Sequence, residues 1–220
     1  MLIAAFRYIF VKQNNKFDLV NSVKILSEKD KRLNGLFTNH EVNDLKPEKN
    51  YLKSLIRSII YQQLSASVAK KIFERFISVF PGSSFPDARM ISSIDIEILR
   101  ASGISYNKSH YIKNIANAFI TEKETFYKLN DMSDNDIINT LTKIKGIGPW
   151  TAQMFLMFTL NRPDVFPASD LAMQKGYQIY FELDALPKAS IMLDHSQVWI
   201  PYRTTVSLYL WSVLEGPFEW

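Results

Sequence analysis

The short run Gly146-Ile147-Gly148-Pro149 stands between two segments whose apolar residues recur at helical spacing, so the chain has to turn sharply there between two helices. Upstream, Ser133 with Asp134 and Asp136 reads as an N-cap with acids in the first turn, starting a helix predicted to end at Lys145. Downstream, Trp150, Met154, Phe155, Met157 and Phe158 keep the spacing of a largely buried helix. Glycines between two such helices let the backbone turn tightly, take positive φ and come close to a ligand with no Cβ in the way. Pro149 suits the first helical position, where it gives up no helical hydrogen bond. The N–H groups around Gly148 and Thr151 then sit at a helix N-terminus, and a phosphate fits such a place.

Asp170 follows 22 positions after Gly148, behind Pro167-Ala168-Ser169 and ahead of another helical pattern through Tyr177. Aspartate there is a natural helix N-cap, and the local pattern taken alone asks for nothing more. Taken with the hairpin it asks for more. Leu141, Ile144, Gly146, Ile147, Gly148, Trp150, Thr151 and Ala152, followed by Phe166, Pro167 and Asp170, resemble a known arrangement. It is the helix-hairpin-helix, Gly/Pro-rich loop and catalytic Asp of the endonuclease III superfamily of DNA glycosylases, in particular its DNA-3-methyladenine glycosylase II branch, which repairs alkylated bases. Ile59 to Ala69, with Gln62, Gln63 and Ser65, resembles that family's helix ahead of the hairpin. Trp199 to Trp211, with Tyr202, Arg203 and Tyr209, resembles its C-terminal helix, so the likeness covers roughly residues 45 to 215.

The resemblance implies a mainly α, two-lobed helix-hairpin-helix glycosylase fold with the active site in the cleft between lobes. Residues 46–160 would form a six-helix lobe, and residues 1–45 with 161–220 the second. It implies base flipping and excision of alkylated, cationic N-alkylpurines such as 3-methyladenine. Asp170 would stabilise the oxocarbenium-like state or orient the attacking water. Relatives that also cut the strand carry a Schiff-base lysine where this chain has Trp150, which implies a monofunctional enzyme that leaves an abasic site. Trp150 and Tyr202 match pocket aromatics, Met154 replaces one found in some members, and Tyr61 and Trp211 are further pocket candidates; each of the four aromatics can also be read as core, Trp150 least and Tyr61 and Trp211 most. Gly146, Ile147, Gly148 and Thr151 would hold the DNA backbone. Gln63, with Leu64 and Gln62 beside it, stands where the family places the residue that fills the gap left by the flipped base; an exposed polar helix face would look the same. No organic cofactor is implied, although family hairpins often bind a monovalent cation through backbone carbonyls. The expected partner is damaged double-stranded DNA, bound by a monomer. The competing readings are a glycosylase of this fold for mismatched, deaminated or oxidised bases, and a non-catalytic helix-hairpin-helix DNA-binding protein.

Composition narrows the chemistry further. The 220 residues contain no cysteine, which excludes a disulfide, a thiol nucleophile and the iron–sulfur cluster of some relatives. His40, His110 and His195 lack ligand spacing, so no metal site is expected. An excess of 26 Lys and Arg over 22 Asp and Glu suits a polyanion without requiring one. The apolar start, Met1 to Val11, is interrupted by Arg7 and too short to span a bilayer, so no membrane segment is expected and the protein is expected to be intracellular and DNA-associated. Apolar stripes at Leu52, Leu55, Ile56, Ile59 and Ile60, and at Val68, Ile72, Phe73, Phe76 and Ile77, read as core faces of two helices. Strand candidates are confined to Ile3–Val11 and Phe17–Leu26.

Overall fold

Short-range capping signals organise most of this chain. The computed structural model describes residues 17–82 and 84–215, and among them every regular element is helical. Asp18 opens α1 (Leu19–Lys29) by accepting the Asn21 N–H at 3.0 Å. The Phe17–Leu26 segment is therefore helical, not extended: the cap comes first, and the buried Ser22 and Leu26 lie one turn apart on a single face. The other strand candidate, Ile3–Val11, and the apolar start lie outside the described residues.

A 3₁₀ turn (Lys31–Leu33) leads into α2 (Asn34–Asn39). Then come α3 (Tyr51–Tyr61), α4 (Ala66–Ser78), α5 (Ala88–Ser93), α6 (Ile96–Ala101), α7 (Tyr106–Thr121), α8 (Lys123–Tyr127) and α9 (Asp134–Leu141). The hairpin gives way to α10 (Pro149–Phe158), and α11 (Leu171–Tyr180), α12 (Ala189–His195) and α13 (Arg203–Glu215) complete the chain's described part. Asn50, Asp87, Asp95, Ser105 and Ser133 each cap the helix that follows through a side-chain oxygen. Helix α9 stops at Leu141, with Thr142 as its C-cap, four residues short of the expected end at Lys145; the chain needs those residues to turn into the hairpin.

The residues form two compact units, one of Glu48–Phe155 and one of the residues up to Pro47 together with those from Leu156 onward. In the first, α7 packs on α3, α5 and α6, and the stripe from Leu52 to Ile60 is buried as its spacing predicts. On α4, Phe73 and Phe76 are buried but Val68 is exposed, because the helix's first turn projects beyond the core. In the second unit, α13 packs on α11, α1 and α2. The α11–α13 crossing is close enough that a Cβ at Gly176 would stand 2.0 Å from the Leu210 carbonyl oxygen. Among the described residues no helix is long and apolar enough to cross a membrane.

Candidate functional site

The candidate residues fall into two groups, one in each unit. In the unit of Glu48–Phe155, the hairpin is a turn between α9 and α10 braced from α7. Gly146 takes φ +113°, and a Cβ there would lie 2.3 Å from the Tyr111 ring, so Tyr111 occupies the space a side chain would need. Asn114 Nδ2, one turn further along α7, donates to the Lys145 carbonyl at 3.1 Å. Gly148 differs from Gly146: it does not use positive φ, and a Cβ on it would meet no protein atom within 4 Å. One glycine is required by the fold, while the other leaves open space beside the backbone.

Pro149 stands first in α10, as its lack of an N–H dictates. The first intrahelical bond runs from the Ala152 N–H to the Gly148 carbonyl at 3.0 Å, so the Gly148 and Thr151 N–H groups precede the helical ladder and are directed along its N-terminal end. Ile147 is buried, which leaves only its backbone for a ligand, and Met154 has no exposed surface. The expectation that Met154 lines a base pocket is therefore corrected: its position on α10 turns it into the core. Trp150 is half-buried and keeps accessible surface.

Tyr61 closes α3 half-buried, with the Arg57 guanidinium 4.6 Å above its ring and the Phe73 ring in a T-shaped arrangement with it. Beyond it, Gln63 and Leu64 are exposed, and Gln63 adopts φ +57°. Gln62 instead turns back and donates from Nε2 to Thr151 Oγ1 at 3.2 Å, which ties this loop to α10. Lys108, on α7, donates to the Ile60 and Gln62 carbonyls at 2.9 and 2.6 Å. Burial pushes its ammonium below the ordinary lysine value.

In the other unit, Asp170 caps α11. Its Oδ1 accepts the Met173 N–H at 2.7 Å and the Trp211 Nε1–H at 3.0 Å, and the side chain is half-buried. Trp211 is thus not an open pocket aromatic: it is buried, stacks on Phe158 at 6.2 Å, and spends its N–H on the carboxylate. The loop leading to Asp170 is clamped to α13. Arg203 makes a bidentate pair with Asp164, at 2.7 and 2.8 Å, Thr204 Oγ1 donates to the Arg162 carbonyl and accepts the Val165 N–H, and Ser207 donates to the Val165 carbonyl. Tyr202, half-buried, donates its N–H to the Trp199 carbonyl just before α13.

The far end of α11 is held as firmly. Tyr180 OH bonds the Arg32 carbonyl and accepts the Leu36 N–H, and Tyr177 OH meets His195 Nδ1. Arg32 Nη2 lies 2.7 Å from His195 Nε2, and because a guanidinium only donates, that nitrogen accepts and the ring is neutral. Burial and the Arg32 charge hold His195 below its ordinary pKa, while burial pushes Tyr177 up to about 12. Asp30 takes the other side of Arg32 and accepts the Trp199 Nε1–H at 3.0 Å; burial works against its charge, but these bonds win and its pKa falls. Asp170 therefore stands at the end of a helix fixed at both ends.

Sequence reasoning misses Lys108, Tyr111 and Asn114, whose spacing of three along α7 was the available signal. It also misses the donor role of Trp211.

The HhH-GPD superfamily of base excision DNA repair proteins matches this chain over residues 56–202. DNA-3-methyladenine glycosylase 1 of Schizosaccharomyces pombe is 40% identical over 187 residues, 84% of this chain and 82% of that protein. The structure of the Schizosaccharomyces pombe 3-methyladenine DNA glycosylase in complex with abasic DNA superimposes with a TM-score of 0.73 at 37% identity, over 88% of this chain and 95% of that one. A DNA-3-methyladenine glycosidase from Bacillus halodurans gives a TM-score of 0.77 at 31% identity, over 88% and 89%.

Proposed function

The chain belongs to the HhH-GPD superfamily of base excision DNA repair proteins, and we propose that it is a monofunctional DNA glycosylase that excises alkylated bases such as 3-methyladenine. The observation that carries the reading is the 40% identity to a DNA-3-methyladenine glycosylase across more than four fifths of both chains. The geometry within each unit supports it.

The hairpin binds the DNA backbone, with the Gly148 and Thr151 N–H groups toward a phosphate and no side chain on Gly148 to obstruct it. Gln63 fills the stack when the damaged nucleotide leaves it. An N-alkylated purine is cationic and electron-poor, so an aromatic ring such as that of Trp150, which keeps accessible surface, attracts it by stacking and cation–π interaction worth about 1–2 kcal/mol, and few base-specific hydrogen bonds are needed. As the C1′–N bond breaks, its electron pair leaves with the base and neutralises it, while positive charge develops on the sugar. The Asp170 carboxylate stabilises that charge and directs a water to C1′. Trp211 and the Met173 N–H fix the carboxylate through one oxygen. A cation at the hairpin would offset phosphate charge; the Ile144, Lys145 and Gly148 carbonyls each already accept one hydrogen bond and keep a second lone pair, so their chemistry suits a hard monovalent ion.

Position 150 carries no amine, so water is the nucleophile and strand cleavage does not follow. The test is incubation with duplexes carrying single defined lesions. Alkylated duplexes should yield intact strands that break only on alkali treatment, and borohydride should trap no enzyme–DNA adduct. Efficient trapping would refute the monofunctional reading and turn attention to Lys143, Lys145 or Lys175.

A further inference from the structure

The loop that carries Gln63 adopts a conformation its own sequence does not favour. Tyr61 to Leu64 is closed by the Leu64 N–H on the Tyr61 carbonyl at 3.3 Å. Gln62 stands at φ −52°, ψ 129° and Gln63 at φ +57°. Those angles define a type II turn, whose third position ordinarily calls for glycine or asparagine. The alternative, type I, differs by a flip of the central peptide and would return Gln63 to negative φ. The carbonyl that reverses in such a flip is that of Gln62, the one Lys108 Nζ holds at 2.6 Å, while its second bond, to the Ile60 carbonyl, fixes the ammonium to the end of α3. The sequence supplies no local reason for the strained form; Lys108 supplies a distant one, from α7.

We propose that Lys108 is a positioning residue that locks the Tyr61–Leu64 turn in its type II form, so that Gln63 points outward as a preformed plug for the DNA stack. The inference rests on the reading that Gln63 fills the gap left by the flipped base. Holding a strained backbone ready before binding removes a rearrangement from the flipping step, and strain of this kind is kept where the surroundings over-determine it. The same helix braces the hairpin through Tyr111 and Asn114, so α7 sets both DNA-facing loops within this unit. Burial of the ammonium against two carbonyls gives bonds that solvent competes for weakly.

The experiment compares Lys108→Met, Gln63→Ala and the double variant with wild type. Single-turnover excision of 7-methylguanine is measured opposite cytosine, where the stack must be opened, and opposite an abasic analogue, where little opening is needed. Lys108→Met should slow the paired substrate roughly 10-fold and leave the unpaired one within about 2-fold, with no additional loss in the double variant because both changes remove one function. Lys108→Arg, which keeps the donors, should stay near wild type. Equal slowing of both substrates, no slowing of either, or additive losses would overturn the proposal. If Lys108→Met does not fold, Lys108→Gln is read in the same way. A wild type that excises neither 7-methylguanine nor 3-methyladenine from any of these duplexes would defeat the glycosylase reading instead; the turn is then probed by 2-aminopurine placed opposite an abasic site, whose fluorescence change on binding should be lost alike in Gln63→Ala and Lys108→Met, and retention in Lys108→Met would overturn the inference.

Discussion

Gly146 and Gly148 look alike in sequence and should fail in opposite ways when changed. At Gly146, alanine meets two penalties: a backbone at φ +113°, and a Cβ that falls 2.3 Å from the Tyr111 ring. A sparsely populated backbone conformation costs about 1–3 kcal/mol, and forced overpacking costs about 1–3 kcal/mol more. The sum, about 2–6 kcal/mol, is a large part of the ~5–15 kcal/mol by which domains are stable, and corresponds to a Tm loss of about 4–24 °C for a chain of this size. At Gly148 neither penalty applies, since its Cβ would meet open space and its φ is ordinary. Gly148→Ala should therefore cost about 1 kcal/mol or less, the scale of exchanging one residue for another ahead of a helix. Gly148→Asp, equally well folded, should weaken binding to every DNA sequence alike, because it sets a negative charge beside a phosphate and phosphate contacts carry no sequence information. Thermal unfolding by circular dichroism, paired with fluorescence anisotropy on abasic and undamaged duplexes at several salt concentrations, reads both effects. A Gly146→Ala protein as stable as wild type, or a Gly148→Asp protein that binds DNA normally, would refute the division of labour.

Two further outcomes follow from the second unit. Trp211→Phe keeps the stack on Phe158 but removes the Nε1–H from Asp170; hydrogen bonds to charged groups are worth about 1.5–3 kcal/mol, so single-turnover excision should fall by about 10-fold or more with DNA affinity unchanged, and a lost affinity would point to a direct base contact instead. His195 has a folded pKa below its ordinary value of 6.5, so the unfolded chain binds the proton more readily; stability is complete above about pH 6.5 and declines as pH falls toward the folded value, and His195→Gln should flatten that part of a Tm–pH curve, whereas an unchanged slope would remove His195 as its source.

What could be read from the sequence was what is decided locally. Ser133 and Asp170 announce their helices because an N-cap acts across three residues, and Pro149 marks the start of α10 for a similarly local reason. The Phe17–Leu26 segment misled because Val20, Val23 and Ile25 favour strands, while the deciding signal was the single cap at Asp18. Met154 and Trp211 were legible both as core and as pocket positions, and the helices that cover them, which the sequence does not name, decide for core. The least legible feature was the Gln63 turn. Nothing in Tyr61-Gln62-Gln63-Leu64 predicts positive φ, and the bonds that hold the loop come from Lys108, 46 and 48 positions away, and from Thr151, 89 positions away. A glycine would have announced the turn; a glutamine held there by a remote lysine does not.

If the Asp170 carboxylate drives base release, Asp170→Asn removes the charge on which release depends. The asparagine Oδ1 can still accept the Met173 N–H and the Trp211 Nε1–H, so the α11 cap and the local geometry survive while the charge is lost. Single-turnover excision from a 3-methyladenine or 7-methylguanine duplex should fall by about 10²-fold or more, with binding to the same duplex nearly intact. Turnover retained in a folded, DNA-binding Asn variant would contradict the account.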